Sequence, residues 1–288
     1  MRFAFIDAEK ANYSVAMMCR LLTVTRQGYY AWRSREESAR RREDRSLLVH
    51  IRAVSAEHRG RYGSPRIHRA LRDAGVVVGR HRVARLMHEA GLQGLPARRF
   101  RRTTNSEHAF VVAPNLVERD FSANGPNELW LADITYLPLR GGGFAYMAAI
   151  LDIFSRRIVG FDIDDRMGVE FCLRALRQAT ALRQPSPGLV HHSDRGVQYA
   201  CGSYCEVLIE AGIERSMSGK GDCWDNAPME SFFGRFKTEL IHEVEIENVR
   251  EARTLVSTFI NGYYNPRRLH SALGYKSPIG FEQEAANT

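Results

Sequence analysis

The spacing of apolar residues changes character once along the 288-residue chain, and the position of that change limits the possible folds more than any other feature. Through residue 95 apolar side chains recur at helical intervals only; from Leu129 they fall into short runs bounded by turn residues, the pattern of strands. Ser14 is placed to cap a helix carrying Val15, Met18, Cys19 and Leu22, and a Thr23-Val24-Thr25 turn leads to a second over 26–32 with Tyr29 and Tyr30. Residues 33–45 read as a charged hinge. Leu47, Leu48, Ile51 and Val54 then form one stripe, and Ser64-Pro65 opens a helix stopped by Gly75. A third helix, 80–90, turns Val83, Leu86 and Met87 inward and Arg80, His81, Arg82 and Arg85 outward, with Gly91 closing it. Residues 96–125, with Pro96, the basic run 98–102 and Asn124-Gly125-Pro126, show no periodicity and read as a linker.

Beyond the linker three strands are expected at 129–139, 144–153 and 157–163, antiparallel because short turns join them. An amphipathic helix carries Val169, Cys172, Leu173, Leu176 and Thr180. A strand follows at 189–192, then a helix at 203–211, a strand at 213–217, and a long helix from about Asp225 past Leu240. That order is the order of a ribonuclease H-like α/β core, a mixed five-stranded sheet with flanking helices. The expected division is a helix-turn-helix-like segment at 1–40, a basic helical DNA-binding domain at 44–95, the linker at 96–125, and a catalytic domain with a helical tail at 126–288.

Charge follows the same division. Residues 1–109 hold 23 Lys and Arg against 10 Asp and Glu, a net of +13, whereas 110–288 hold 18 against 23, a net of −5. Of the 41 basic residues 37 are arginine, which suits planar, bidentate contact with phosphate. A basic third of this size points to nucleic acid, and its short helices fit a unit that binds double-stranded DNA, with Arg80, Arg82 and Arg85 as candidate base or phosphate readers.

Several classes drop out. No apolar run approaches the length of a membrane span, and the N-terminus lacks the apolar stretch of a signal peptide. Five cysteines without a Cys-x-x-Cys pair argue against a disulfide scaffold and for a reducing cytoplasm.

Three acids carry the chemistry. Asp133 interrupts an apolar strand, where an unpaired carboxylate is expensive. Asp194 ends the fourth strand, and Glu230 lies early in the last long helix. Two strands and a helix can bring these groups together around a pair of divalent cations, and carboxylate oxygens suit magnesium or manganese. On the same helix, Glu230, Gly234 and Lys237 share a face, so Lys237 is a candidate contact to DNA at the scissile end. Arg195 and Asn226 are also assigned as DNA contacts.

The segments Trp130-Leu131-Ala132-Asp133-Ile134-Thr135-Tyr136, His192-Ser193-Asp194-Arg195-Gly196-Val197-Gln198-Tyr199 and Asp225-Asn226-Ala227-Pro228-Met229-Glu230-Ser231-Phe232-Phe233 resemble those of the insertion-sequence-three family of transposases, members of the retroviral-integrase superfamily. Arg61-Tyr62-Gly63, Val83-Ala84-Arg85-Leu86-Met87 and the C-terminal segment Tyr264-Asn265-Pro266-Arg267-Arg268-Leu269-His270-Ser271-Ala272-Leu273-Gly274 extend the resemblance over nearly the whole chain. It implies that Asp133, Asp194 and Glu230 form an Asp-Asp-Glu triad holding two magnesium or manganese ions. It further implies cleavage at the ends of a mobile element to free a 3′-OH, which then attacks a second phosphodiester. Partners implied are the terminal inverted repeats, target DNA, further copies of this chain on DNA, and an upstream reading-frame product. No sustained heptad precedes residue 45, so the chain reads as the downstream product.

Other readings were weighed against this one. His192-x-x-Arg195 with Tyr199 or Tyr204 formally matches a tyrosine recombinase, and His191, His192, Cys201 and Cys205 could be offered as zinc ligands, but neither spacing fits. A DNA-binding regulator with an inactive ribonuclease H-like domain, and a nuclease that cannot join strands, remain as alternatives that assays separate.

Overall fold

The computed structural model describes residues 1–96, 112–219 and 223–287. Helices α1 (Arg2–Glu9), α2 (Val15–Leu21) and α3 (Arg26–Ser34) enclose a small core of Ile6, Met18, Cys19 and Tyr29. Ser14 caps α2 and Thr25 caps α3, each hydroxyl accepting a backbone N–H. The first of the three helices has no counterpart in the sequence expectations; its one buried residue, Ile6, is too weak a periodic signal.

The charged hinge is a correction. Ser38 accepts the Arg41 amide and starts α4 (Ala39–Glu57), so most of the stretch read as a hinge is the first two turns of a long helix. Its acids explain the difference. Glu43 and Asp44 reach across to Arg82 and Arg85 on α6 (Arg80–Glu89), a tertiary pairing that local periodicity does not register. Helix α5 (Ser64–Asp73) completes this unit, whose core is Leu47, Ile51, Tyr62, Ile67, Leu71, Val83, Leu86 and Met87. Gly75 and Gly91 both adopt positive φ after their helices, as expected of αL stops.

The sheet runs in the order β3-β2-β1-β4-β5, built from β1 (Leu129–Pro138), β2 (Phe144–Asp152), β3 (Ile158–Asp164), β4 (Val190–Ser193) and β5 (Glu214–Met217). β1, β2 and β3 are antiparallel; β4 and β5 join parallel to β1. On one face pack α7 (Glu170–Arg183), the single turn α8 (Val197–Ala200) and α9 (Gly202–Glu210). On the other pack α10 (Ala227–Glu239) and α11 (Val249–Phe259). Gly160 lets α7 lie against β3, since a Cβ there would collide with the Ala175 carbonyl. Helix α10 is held by Met229, Phe232, Phe233 and Phe236, and truncating one such phenylalanine costs about 3–5 kcal/mol.

Two further boundaries differ from expectation. The helix expected to pass Leu240 ends at Glu239 and gives way to a 3₁₀ turn, Ile241–Glu243, because Leu240 and Ile241 both turn into the core. The second half of the linker is part of the catalytic unit: Ala113 and Val117 are buried, and Ser216 Oγ accepts the Leu116 amide. The basic run 98–102 lies outside the described residues.

The C-terminal segment continues from α11 through a π turn (Ile260–Tyr264) and the short α12 (Asn265–Arg267) to α13 (Pro278–Ala286). The helical unit α4–α6 docks on it. Arg61 donates to the Glu239 carbonyl at 3.0 Å and lies over the Tyr263 ring, Arg66 donates to the Leu269 carbonyl at 2.9 Å, and Tyr62 Oη accepts the Leu269 amide at 2.8 Å. Among the described residues no helix is long and apolar enough to cross a membrane.

Candidate active site

Alternation along β1 sends Leu131, Asp133, Thr135 and Leu137 to the face covered by α10, so an acid is carried into an otherwise apolar interface. The parallel pairing of Ala132 with Ser193 sets Asp194, the next residue along β4, beside Asp133. Asp194 turns back on itself: its Oδ1 accepts the Gly196 amide at 2.9 Å, and a Cβ on Gly196 would press on that same oxygen. Glu230 sits in the first turn of α10, whose position is set by the buried phenylalanines on its opposite side.

These three acids share one electrostatic environment. The Asp133 carboxyl is raised well above the usual carboxylate range, first by burial, then by the charge of Asp194, and further by Glu230; the backbone N–H of Ile134, at 2.7 Å, works against this. Lys237 also opposes the rise, which places its ammonium near Asp133. Burial lowers the pKa of Lys237, and the charge of Asp133 partly restores it. Glu239, a conceivable partner for Lys237, is occupied: both of its oxygens meet Arg268, at 2.6 and 2.9 Å.

Among the described residues no three of His, Cys, Asp or Glu are gathered closely enough to hold a metal ion as they stand. By donor type and charge, however, Asp133, Asp194 and Glu230 fit a hard divalent cation: all their ligating atoms are carboxylate oxygens, and each of the other two acids raises the cost of charging Asp133.

The remaining candidates fall in different places. Arg195 donates through Nε to the Ser218 carbonyl at 2.7 Å, tying the loop after β4 to the loop after β5. Asn226, expected as a DNA contact, is buried, and its amide donates to the Ala132 carbonyl at 3.2 Å. That is a correction: the residue is a strut between α10 and β1. Arg82 and Arg85 face outward as expected but are both engaged by Asp44 at 2.7 Å, with Glu43 and Glu89 completing the pairing. Arg80 is exposed, and among the described residues it forms no salt bridge.

Neither rejected constellation gains support. Tyr199 and Tyr204 are buried, and burial raises both phenols well above their usual range. His191 is held neutral, its pKa lowered to about 3 by burial, and meets Tyr204 Oη at 3.0 Å. His192 spends both ring nitrogens on Ser216 and Ser218.

One anchoring residue escaped sequence reasoning. Asp225 accepts from the Gly219 amide, Asn115 and Arg119, so it gathers the loop after β5, the end of the linker and the start of α10. Its position five residues before Glu230 was visible; its partners were not.

Sequence comparisons identify the family. Residues 123–223 and 211–278 each match a model described as "Integrase core domain", and residues 41–100 match one described as "HTH-like domain". The fold and the match together define an integrase-core protein with an HTH-like domain ahead of the core. Among relatives, a 31 kDa protein of insertion element IS600 from Shigella sonnei is 40% identical over 93% of this chain and 98% of its own length. The transposase of insertion sequence element IS904 from Lactococcus lactis is 40% identical over 86% and 98%. The InsF transposase of IS3A from Escherichia coli K12 is 35% identical over 99% of both chains. The chain belongs to the insertion-sequence-three (IS3) family of transposases.

Proposed function

We propose that this DNA transposase works through Asp133, Asp194 and Glu230 as ligands of two divalent cations, magnesium or manganese, cutting one strand at an element end and joining the freed 3′-OH to a second phosphodiester. The observation that carries the reading is the meeting of β1, the end of β4 and the first turn of α10, which brings the three carboxylates close enough for Asp194 and Glu230 both to push the Asp133 carboxyl upward. Two such cations, when bound, polarise the phosphate and stabilise charge on the attacking and leaving oxygens.

The chain's own groups prepare that site. Ile134 N–H and Gly196 N–H hold the Asp133 and Asp194 carboxylates in fixed orientations, and α10 presents Glu230 from a helix whose far side is locked in the core. Lys237, on the Glu230 face, is positioned to neutralise a phosphate oxygen beside the acids. Open space over Gly234, between them, leaves room for the strand. The basic helical unit supplies most of the hold on DNA, terminal inverted repeats and target alike. Further copies of this chain, and the upstream reading-frame product, complete the assembly on chromosomal DNA in the cytoplasm, at the nucleoid.

The test is a supercoiled donor carrying the element's ends, incubated with magnesium and the purified chain, alone and together with the upstream reading-frame product. Nicks with a free 3′-OH followed by joined strands are expected. Nicks without joining would make the protein a hydrolytic nuclease; binding without nicks would make it a regulator with an inactive core.

A further inference from the structure

We infer that an arginine-lined groove on the flank of α10, separate from the triad, grips the DNA backbone as it leaves the catalytic face; the inference rests on the transposase reading above. A cavity of about 410 Å³ opens where α5, the β2–β3 turn, α10 and the C-terminal segment meet, lined by Arg66, Arg156, Ser231, Arg235, Arg268 and His270. A second cavity of about 280 Å³ continues it, sharing Arg66, Arg235 and Ser271. Together they form an open groove along the seam between the helical unit and the catalytic unit.

The groove carries surplus positive charge. Arg268 is buried and neutralised by Glu239. Among the described residues, Arg66, Arg156 and Arg235 form no salt bridge. All three are half-buried, so their charge is not fully hydrated, and the acid that acts on Arg66, Glu239, is already paired with Arg268. They also feel one another: burial and then the charges of Arg268 and Arg235 lower the pKa of Arg66, and His270 is kept neutral by burial together with Arg268, Arg66 and Arg156. Phosphate meets this arrangement with planar, bidentate geometry available at several points.

Position relative to the triad supplies the second argument. On α10, Glu230 and Lys237 define one face. Ser231 and Arg235, one turn apart, define a flank rotated by about 100° and about 140° from Glu230, since successive residues turn by about 100°. Gly234 lies between the two faces, and a Cβ there would meet nothing within 4 Å. A strand lying against Glu230 therefore crosses Gly234 without obstruction and reaches Arg235. The catalytic half of the chain is acidic, at −5, so a local inversion of charge is what lets DNA follow this path.

The test measures salt dependence of binding by the full chain on a short random-sequence duplex and on an element-end duplex. Each lost phosphate contact reduces the slope of log K against log salt by about 0.9, so Arg156→Asn with Arg235→Gln reduces it by about 1.8. Asparagine is chosen at 156 because the backbone there has φ 59°, which asparagine tolerates. Arg177→Gln, which removes an exposed arginine from α7 on the opposite layer, leaves the slope unchanged. Arg235→Lys restores the slope that Arg235→Gln loses, because charge alone sets this term, while affinity stays below wild type for want of the planar fork; a slope lost in Arg235→Gln only together with a fall in melting temperature marks a folding effect and overturns the inference. A double variant with wild-type melting, slope and affinity also overturns it. Magnesium-dependent cleavage by the unmodified chain together with the upstream reading-frame product separates the two readings: cleavage with an unaltered slope in the double variant removes the groove alone, whereas no DNA binding and no cleavage by that wild-type mixture removes both.

Discussion

Asn226 donates its side-chain amide to the carbonyl of Ala132 across 3.2 Å, joining the residue just ahead of α10 to the residue just ahead of Asp133. This bond fixes the start of the helix that carries Glu230 against the strand that carries Asp133. Asn226→Ala removes this buried hydrogen bond, worth about 0.5–1.5 kcal/mol. It also loosens the register of the two acids, which can cost on the order of 10²-fold in rate. Cleavage and melting temperature should both fall while DNA affinity stays. Loss of affinity with unchanged melting would return Asn226 to the role of a DNA contact.

Asp133→Asn, Asp194→Asn and Glu230→Gln should each reduce strand cleavage by roughly 10³-fold or more, because metal stabilisation of transition-state charge is worth several kcal/mol and each 1.36 kcal/mol is a factor of ten. Duplex binding should persist. Cleavage of a supercoiled donor in magnesium measures it, and ordinary activity in any one variant removes that residue from the site.

Lys237→Ala should weaken engagement of element ends by roughly tenfold or more, since hydrogen bonds to charged groups are worth about 1.5–3 kcal/mol. Melting is followed in parallel, because Lys237 is partly buried beside Asp133. End-binding titrations decide this, and an unchanged affinity refutes it.

The outward arginines of α6 should not behave alike. Arg80→Ala should reduce the salt slope by about 0.9, the value of one phosphate. Arg82→Ala and Arg85→Ala should mainly lower the melting temperature, because Asp44 accepts from both and depends on them for its lowered pKa. Equal slope losses at all three positions would show that the pairs with Asp44 open when DNA binds.

Acid should loosen the C-terminal helix first. Glu282 on α13 accepts from Ser155 at 2.7 Å, Arg157 at 2.7 Å and Arg183 at 2.9 Å. Burial raises its pKa, but these three partners outweigh burial and hold it below the ordinary glutamate value. A depressed folded-state pKa contributes stability that is complete above the unfolded value of about 4.3 and is lost as pH falls through the folded value. Glu282→Gln should therefore lower melting at neutral pH and approach the wild type in acid. A constant difference at every pH would contradict it.

Much of this protein is legible in local pattern. Ser14 and Ser64-Pro65 mark helix starts, Gly75 and Gly91 mark stops, and the strand runs and the positions of Asp133, Asp194 and Glu230 follow from side-chain periodicity and turn chemistry, which act over a few residues. The family motifs were legible too, but as separate segments. Only the tertiary structure joins Arg61-Tyr62 and Arg66 to Glu239 and Leu269, more than 170 residues away in sequence. It alone turns a charged hinge into the start of α4, engages Arg82 and Arg85 with Asp44, and buries Asn226 against Ala132. A sequence states which groups need partners; which partner each finds depends on elements meeting across the fold, where burial makes an unmatched charge or amide costly enough to select the pairing.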